Sequence, residues 1–144
     1  MMSKVLEPFH GSKIAILRHA EVLTLLRDDT PTIPFPNMWD LPGGGREGCE
    51  SPFATVAREL HEELAIKIDP SKIIHHRVYL NASALRVHFY VARWDNLSDA
   101  AIHLGDEGQA WTWMPIATFV THEKAVPTFR ERLHHAVNDL GITP

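Results

Sequence analysis

The stretch GGREGCESPFATVARELHEELAI, Gly44–Ile66, runs from a glycine-rich turn into a helix. Ser51 suits an N-cap, with Pro52 at the first helical position. Phe53, Val56, Ala57, Leu60 and Leu64 recur at helical spacing and predict a buried stripe. Glu59, Glu62 and Glu63 fall together, away from the centre of that stripe. Residues three and four apart are neighbours on a helix, so these like charges repel. Arg58 can pair with Glu62 and relieves part of the repulsion. The glycines just upstream free the backbone, and a helix N-terminus behind such a turn attracts anions. Two readings of the carboxylates stand at this point. One is a solvated charged face. The other is a site where a hard divalent cation such as Mg²⁺ bridges carboxylates to a phosphate or pyrophosphate, which those carboxylates alone would repel.

Outward from this stretch, Lys13–Arg18 and Glu21–Arg27 read as two strands joined at His19-Ala20. DDTPTIPFPNM carries three prolines and predicts an ordered loop. Trp39–Leu41 reads as a short strand. Ile73–Leu80 and Leu85–Trp94 read as strands, with Val87, Phe89 and Val91 alternating with Arg86, His88 and Tyr90. Asp95–Glu107 reads as loop, and Gln109–Met114 as a strand with Trp111 and Trp113 on one face. A last helix spans Pro127–Leu140, its inner stripe Phe129, Leu133, Ala136, Val137 and Leu140, capped by Gly141. Strands, helix, strands, helix is not the alternation of a doubly wound parallel sheet. Short connections predict antiparallel pairs in a mixed sheet, with helices on its faces.

The chain has 144 residues, 44% of them hydrophobic, and a net charge of −4. That length and composition predict one globular domain, 1–144, with a proper core. The mild negative charge argues against a nucleic-acid polymer as partner but not against a small phosphorylated ligand. One cysteine, Cys49, excludes an internal disulfide and a cysteine-rich metal site; it is expected to be a buried or half-buried structural thiol. MMSKVLEPFHGS lacks a signal peptide's apolar stretch, and no apolar run is long enough to span a bilayer. A cytoplasmic protein without membrane contact is the expectation, as monomer or homodimer. The ten histidines are scattered, and His75-His76 and His134-His135 are expected at the surface.

Gly44, five residues, Glu50, seven residues, then Arg58-Glu59-Leu60-His61-Glu62-Glu63-Leu64-Ala65-Ile66 closely resembles the signature of the Nudix hydrolases. Every defined position agrees except the late glycine, which is Ala65 here. The resemblance implies an α+β fold, an αβα sandwich around a mixed sheet. It implies a Mg²⁺-dependent hydrolase, with Mn²⁺ as a substitute, cleaving a nucleoside diphosphate linked to another group X. Glu59, Glu62 and Glu63 would bind the metal, and the Gly43 carbonyl would add a ligand. Arg58 would orient the glutamates, and Glu50 would brace the loop.

In Gly105–Ile116, Glu107 best fits the place where some members put a further acidic ligand or base; otherwise it is a solvated loop acid. Glu59 is the favoured general base, with Glu62 or Glu107 as alternatives. Arg27 resembles a substrate-phosphate arginine of the mutator-type branch; the plain alternative is a strand-end surface arginine. Gly44 and Gly45 would approach the substrate. Phe35 and Trp39 are candidate stacking platforms for a base, or else core residues, and the Thr30–Trp39 loop would form one wall of the pocket.

A nucleoside triphosphate, intact or oxidised, is the favoured substrate. That branch's recognition asparagine has no counterpart in FVTHEKAVPTF. ADP-ribose, other nucleotide sugars and dinucleoside polyphosphates stay open. So does a module that senses a nucleotide without cleaving it, although such modules commonly lose a glutamate and none is lost here.

Overall fold

In the computed structural model, which describes residues 7–144, the first two apolar runs form the predicted hairpin. β1 (Gly11–Arg18) and β2 (Glu21–Leu26) pair antiparallel, with Leu17 opposite Val22. β3 (Trp39–Asp40) and β7 (Ala110–Pro115) both pair antiparallel with β2. β5 (Ile73–Leu80) and β6 (Arg86–Arg93) form a second hairpin, and β6 lies parallel to β1. Among the described residues the product is one mixed, seven-stranded sheet.

Helices cover both faces. β1 shows how one strand serves two layers. Ile14 and Ile16 point into a core shared with Val56, Leu60 and Leu64 of α1 (Pro52–Leu64). Ala15 and Leu17 point the other way, towards Leu133, Ala136 and Val137 of α3 (Pro127–Leu140). α2 (Ile116–Phe119) adds Ile116 and Phe119 to this second core. Each such aliphatic side chain, fully buried, contributes about 1.5–3 kcal/mol. The same logic governs β6, where His88 to Ala92 are all buried. Its alternation separates two covered faces, not an inner face from a wet one.

Local signals explain both long helices. Ser51 Oγ accepts the Ala54 N–H at 3.1 Å, and Pro52 opens α1. Gly141 ends α3 with φ 67°. Thr55, absent from the predicted stripe, is buried on α1 as well.

The sequence pattern misses one strand. β4 (Gly43–Gly45) pairs antiparallel with Gly11–Lys13 of β1. Gly43 takes φ 136°, and a Cβ there would collide with the Ser12 carbonyl and Lys13. The glycines therefore serve close packing as well as backbone freedom. Cys49 is exposed, contrary to the expected buried or half-buried thiol, because the turn after β4 lies outside both cores. Among the described residues no helix is long and apolar enough to cross a membrane.

Candidate active site

α1 carries its glutamates to the edge of β4. The contact is intimate: a Cβ on Gly44 would lie 2.6 Å from the Glu59 carboxyl carbon. Any side chain on Gly44 would have to push that carboxylate aside. Next to it, the Gly43 N–H donates to Glu63 Oε1 at 2.8 Å. Glu62 lies further out, its side chain 56% exposed.

Arg58 ties the group together. Its Nε reaches Glu50 Oε2 at 2.8 Å, its Nη1 reaches Glu59 Oε1 at 3.1 Å and Glu62 Oε2 at 3.2 Å, and its Nη2 donates to the Gly45 carbonyl at 2.8 Å. Glu50 completes the brace by accepting the Glu47 N–H at 2.9 Å. One guanidinium thus links loop, strand and helix with charge-assisted hydrogen bonds, the stronger kind. Its bond to Arg58 holds the Glu50 carboxyl below the usual range.

The inner glutamates behave differently. Burial raises the Glu59 carboxyl above its ordinary range, against the pull of Arg58. Burial pushes Glu63 up to about 8, and neither Lys13 nor the Gly43 N–H offsets it. A desolvated carboxylate with so little positive charge nearby favours a proton or a cation. Glutamate oxygens and a backbone carbonyl are the donors a hard divalent ion prefers. Among the described residues, however, no three His, Cys, Asp or Glu side chains converge closely enough to hold a metal as they stand. Glu62 is drawn to Arg58, and Glu63 to the Gly43 N–H.

Two clefts flank β3, sharing Arg27 and Asp40. The larger, about 340 Å³, is lined by Gly44 and Gly45 on one side and by Pro34 and Phe35 of the proline loop on another. Phe35 is 45% exposed there, so its ring is free to stack. The smaller, about 180 Å³, brings Glu107 together with Glu63. Glu107 is delivered by a segment docked on the end of α1: the His103 N–H donates to the Leu64 carbonyl and the Gly105 N–H to that of Glu63. Trp39 reaches neither cleft. It packs partly buried on the α3 side, its N–H donating to the Lys124 carbonyl at 2.7 Å. Burial against that core takes its ring away from any stacking role.

Arg27 is not a lone surface arginine. Its Nη1 meets the buried Asp40 Oδ2 at 2.8 Å, and Lys13 Nζ meets the same oxygen at 3.0 Å. Sequence reading missed Lys13 and Asp40, and it missed the α3 contribution to the cleft from Thr128, Phe129 and Arg132. Phe129 does carry a helical-stripe signal, and Arg132 follows it by one helical turn.

Ala65 ends α1 in the left-handed conformation, φ 62° and ψ 21°, its N–H donating to the His61 carbonyl at 2.9 Å. A residue with a Cβ is strained there, whereas glycine is not. Ala65→Gly is therefore expected to raise stability by up to about 1 kcal/mol, the strain relief exceeding the added unfolded-state entropy. A denaturant midpoint that falls would show that the cap carries no strain.

The sequence model of the NUDIX domain matches residues 9–136. The fold resembles the MutT protein from Methanosarcina mazei Go1, at TM-score 0.72 and 23% identity over 95% of this chain and 99% of that one. It also resembles a C. elegans Ap4A hydrolase, at TM-score 0.70 and 21% identity over 91% and 98% of the two chains. A bifunctional NMN adenylyltransferase/ADP ribose pyrophosphatase from Francisella tularensis aligns at TM-score 0.73 and 15% identity, over 95% of this chain but 42% of that protein. No curated protein matches the chain in sequence. The chain belongs to the NUDIX domain family.

Proposed function

We propose that the protein hydrolyses the pyrophosphate linkage of a nucleoside diphosphate joined to a further group X, with Mg²⁺, or Mn²⁺ in its place, as cofactor. The observation that carries this reading is the stacking of Gly43–Gly45 directly on Glu59 and Glu63, with Arg58 bridging both elements. Glu59, Glu62, Glu63 and the Gly43 carbonyl would hold the metal, with Glu107 joining from the neighbouring cleft. Glu62 and Glu63 would have to turn from Arg58 and from the Gly43 N–H to do so. When bound, the metal would neutralise charge on the diphosphate and make the attacking water more acidic.

The chain's own residues supply the rest. Glu59 is the favoured base. It lies against Gly44, and its partial burial raises its proton affinity towards the range a base needs. Arg58 fixes that carboxylate while leaving its second oxygen uncommitted among the described residues. The large cleft would take the nucleoside, with Phe35 as a stacking face. Arg27 would act through Asp40 as part of the cleft floor, not as a free phosphate ligand.

A nucleoside triphosphate is the first substrate to test, then ADP-ribose and dinucleoside polyphosphates. Retention of all three glutamates speaks against a module that only senses nucleotides. In a phosphate-release screen over these classes, at least one is expected to be cleaved with millimolar Mg²⁺ and none with a chelator. Cleavage that persists in the chelator would contradict the metal role.

A further inference from the structure

We infer that the large cleft recognises a second anionic group on its ligand, remote from the diphosphate, and that Arg132 of α3 is the residue that reads it. This rests on the proposed function for the place of the diphosphate. Among the described residues, three lysine and arginine side chains line the cleft: Lys13 of β1, Arg27 just after β2, and Arg132 of α3. Asp40 engages the first two, which share its Oδ2 at 3.0 and 2.8 Å. Among the described residues Arg132 has neither an ion pair nor a hydrogen bond. Its guanidinium lies instead over the rings of Tyr79, at 4.5 Å from the centroid, and Phe129, at 5.8 Å. Those faces offset only part of the cost of taking an arginine out of water. Burial accordingly pushes its guanidinium below the usual range. Its neighbour in sequence, Glu131, is exposed and makes no ion pair with it.

The order of groups along the cleft guides where the anion is placed. Lys13 sits close enough to Glu59 and Glu63 to act on both carboxylates. Its Nζ is 5.2 Å from the Phe129 ring, and Arg132 lies on that ring as well. With the diphosphate at the glutamates and Lys13 beside them, the second anion is placed beyond Lys13, at the ring that Arg132 shares. A guanidinium that packs against two rings and has no hydrogen-bond partner among the described residues keeps its N–H donors for a ligand, and a phosphate can take two of them in parallel. The ligand class this favours is a nucleotide bearing an additional phosphate on the nucleoside.

Titration calorimetry without metal tests this, comparing AMP with adenosine 2′,5′-bisphosphate and adenosine 3′,5′-bisphosphate on the wild type, R132A and R132K. At least one bisphosphate is expected to bind the wild type about tenfold or more tightly than AMP, the scale of one charge-assisted contact. That preference should vanish in R132A and survive in part in R132K, which keeps the charge but not the fork. Equal affinities on the wild type would overturn the inference, as would no measurable binding. Loss of affinity in R132A that is the same for AMP and both bisphosphates would also overturn it, placing Arg132 at the 5′-phosphate. A protein that discriminates these ligands but cleaves no pyrophosphate with Mg²⁺ would refute the proposed reaction and leave the recognition by Arg132 standing.

Discussion

Glu62→Gln is expected to lower turnover by about 10²–10⁴-fold, the range for loss of a positioned catalytic carboxylate. Gln keeps the shape and removes the charge. The side chain is 56% exposed, and among the described residues its hydrogen bonds are to Arg58 alone. Arg58 still holds Glu50, Glu59 and the Gly45 carbonyl in the variant, so the link between β4 and α1 survives. Substitutions on such a surface change stability by no more than about 0.5 kcal/mol. The variant should therefore melt like the parent and fail to turn over. Initial rates on the best substrate of the screen, measured beside a melting curve, check both halves. Full activity in Glu62→Gln would remove that residue from the metal site.

That separation of chemistry from folding was legible in the sequence because α1 writes its two duties on two faces. Phe53, Val56, Leu60 and Leu64 mark the buried side, Ser51 and Pro52 mark the start, and the glutamates fall elsewhere. Where the local pattern was silent, structure depended on distant partners. β4 has no side chains to alternate, and its pairing follows from how closely glycine backbones approach β1. α2 is four residues long, too short for a periodic signal. Arg27 reads in sequence as a phosphate ligand or a surface residue, but Asp40 engages it, a contact that neither residue announces. Trp39 reads in sequence as a stacking candidate because it adjoins the glycines, yet its strand turns it towards the α3 core. The α3 wall of the cleft was hidden for the same reason. Phe129 reads as core, and only the fold sets it over Lys13.

The second large effect concerns Glu59 and Glu63 together. Without metal they are a burden on the fold, since burial raises both, and the charge of Glu59 raises Glu63 further. The sign of the pH dependence follows. The folded Glu63 carboxyl, pushed up to about 8, binds a proton more tightly than the unfolded chain does. Metal-free stability should thus fall as pH rises from the ordinary carboxylate range through about 8, because only the folded state must then give up that proton. A divalent cation bound there reverses the burden, since a ligand that binds only the folded state adds its binding energy to stability. Replacing both residues with Gln should yield a metal-free protein at least as stable as the parent at neutral pH, and inactive.

Thermal melting of the parent and of the Glu59→Gln, Glu63→Gln double variant, each in millimolar Mg²⁺ and in chelator at neutral pH, puts the metal assignment to its most direct test. The parent should melt higher with Mg²⁺ than with chelator, while the double variant should melt at one temperature in both. A double variant that keeps the whole Mg²⁺-dependent shift would mean that these carboxylates do not hold the ion, and that Arg58–Leu64 is a charged, solvated helix face.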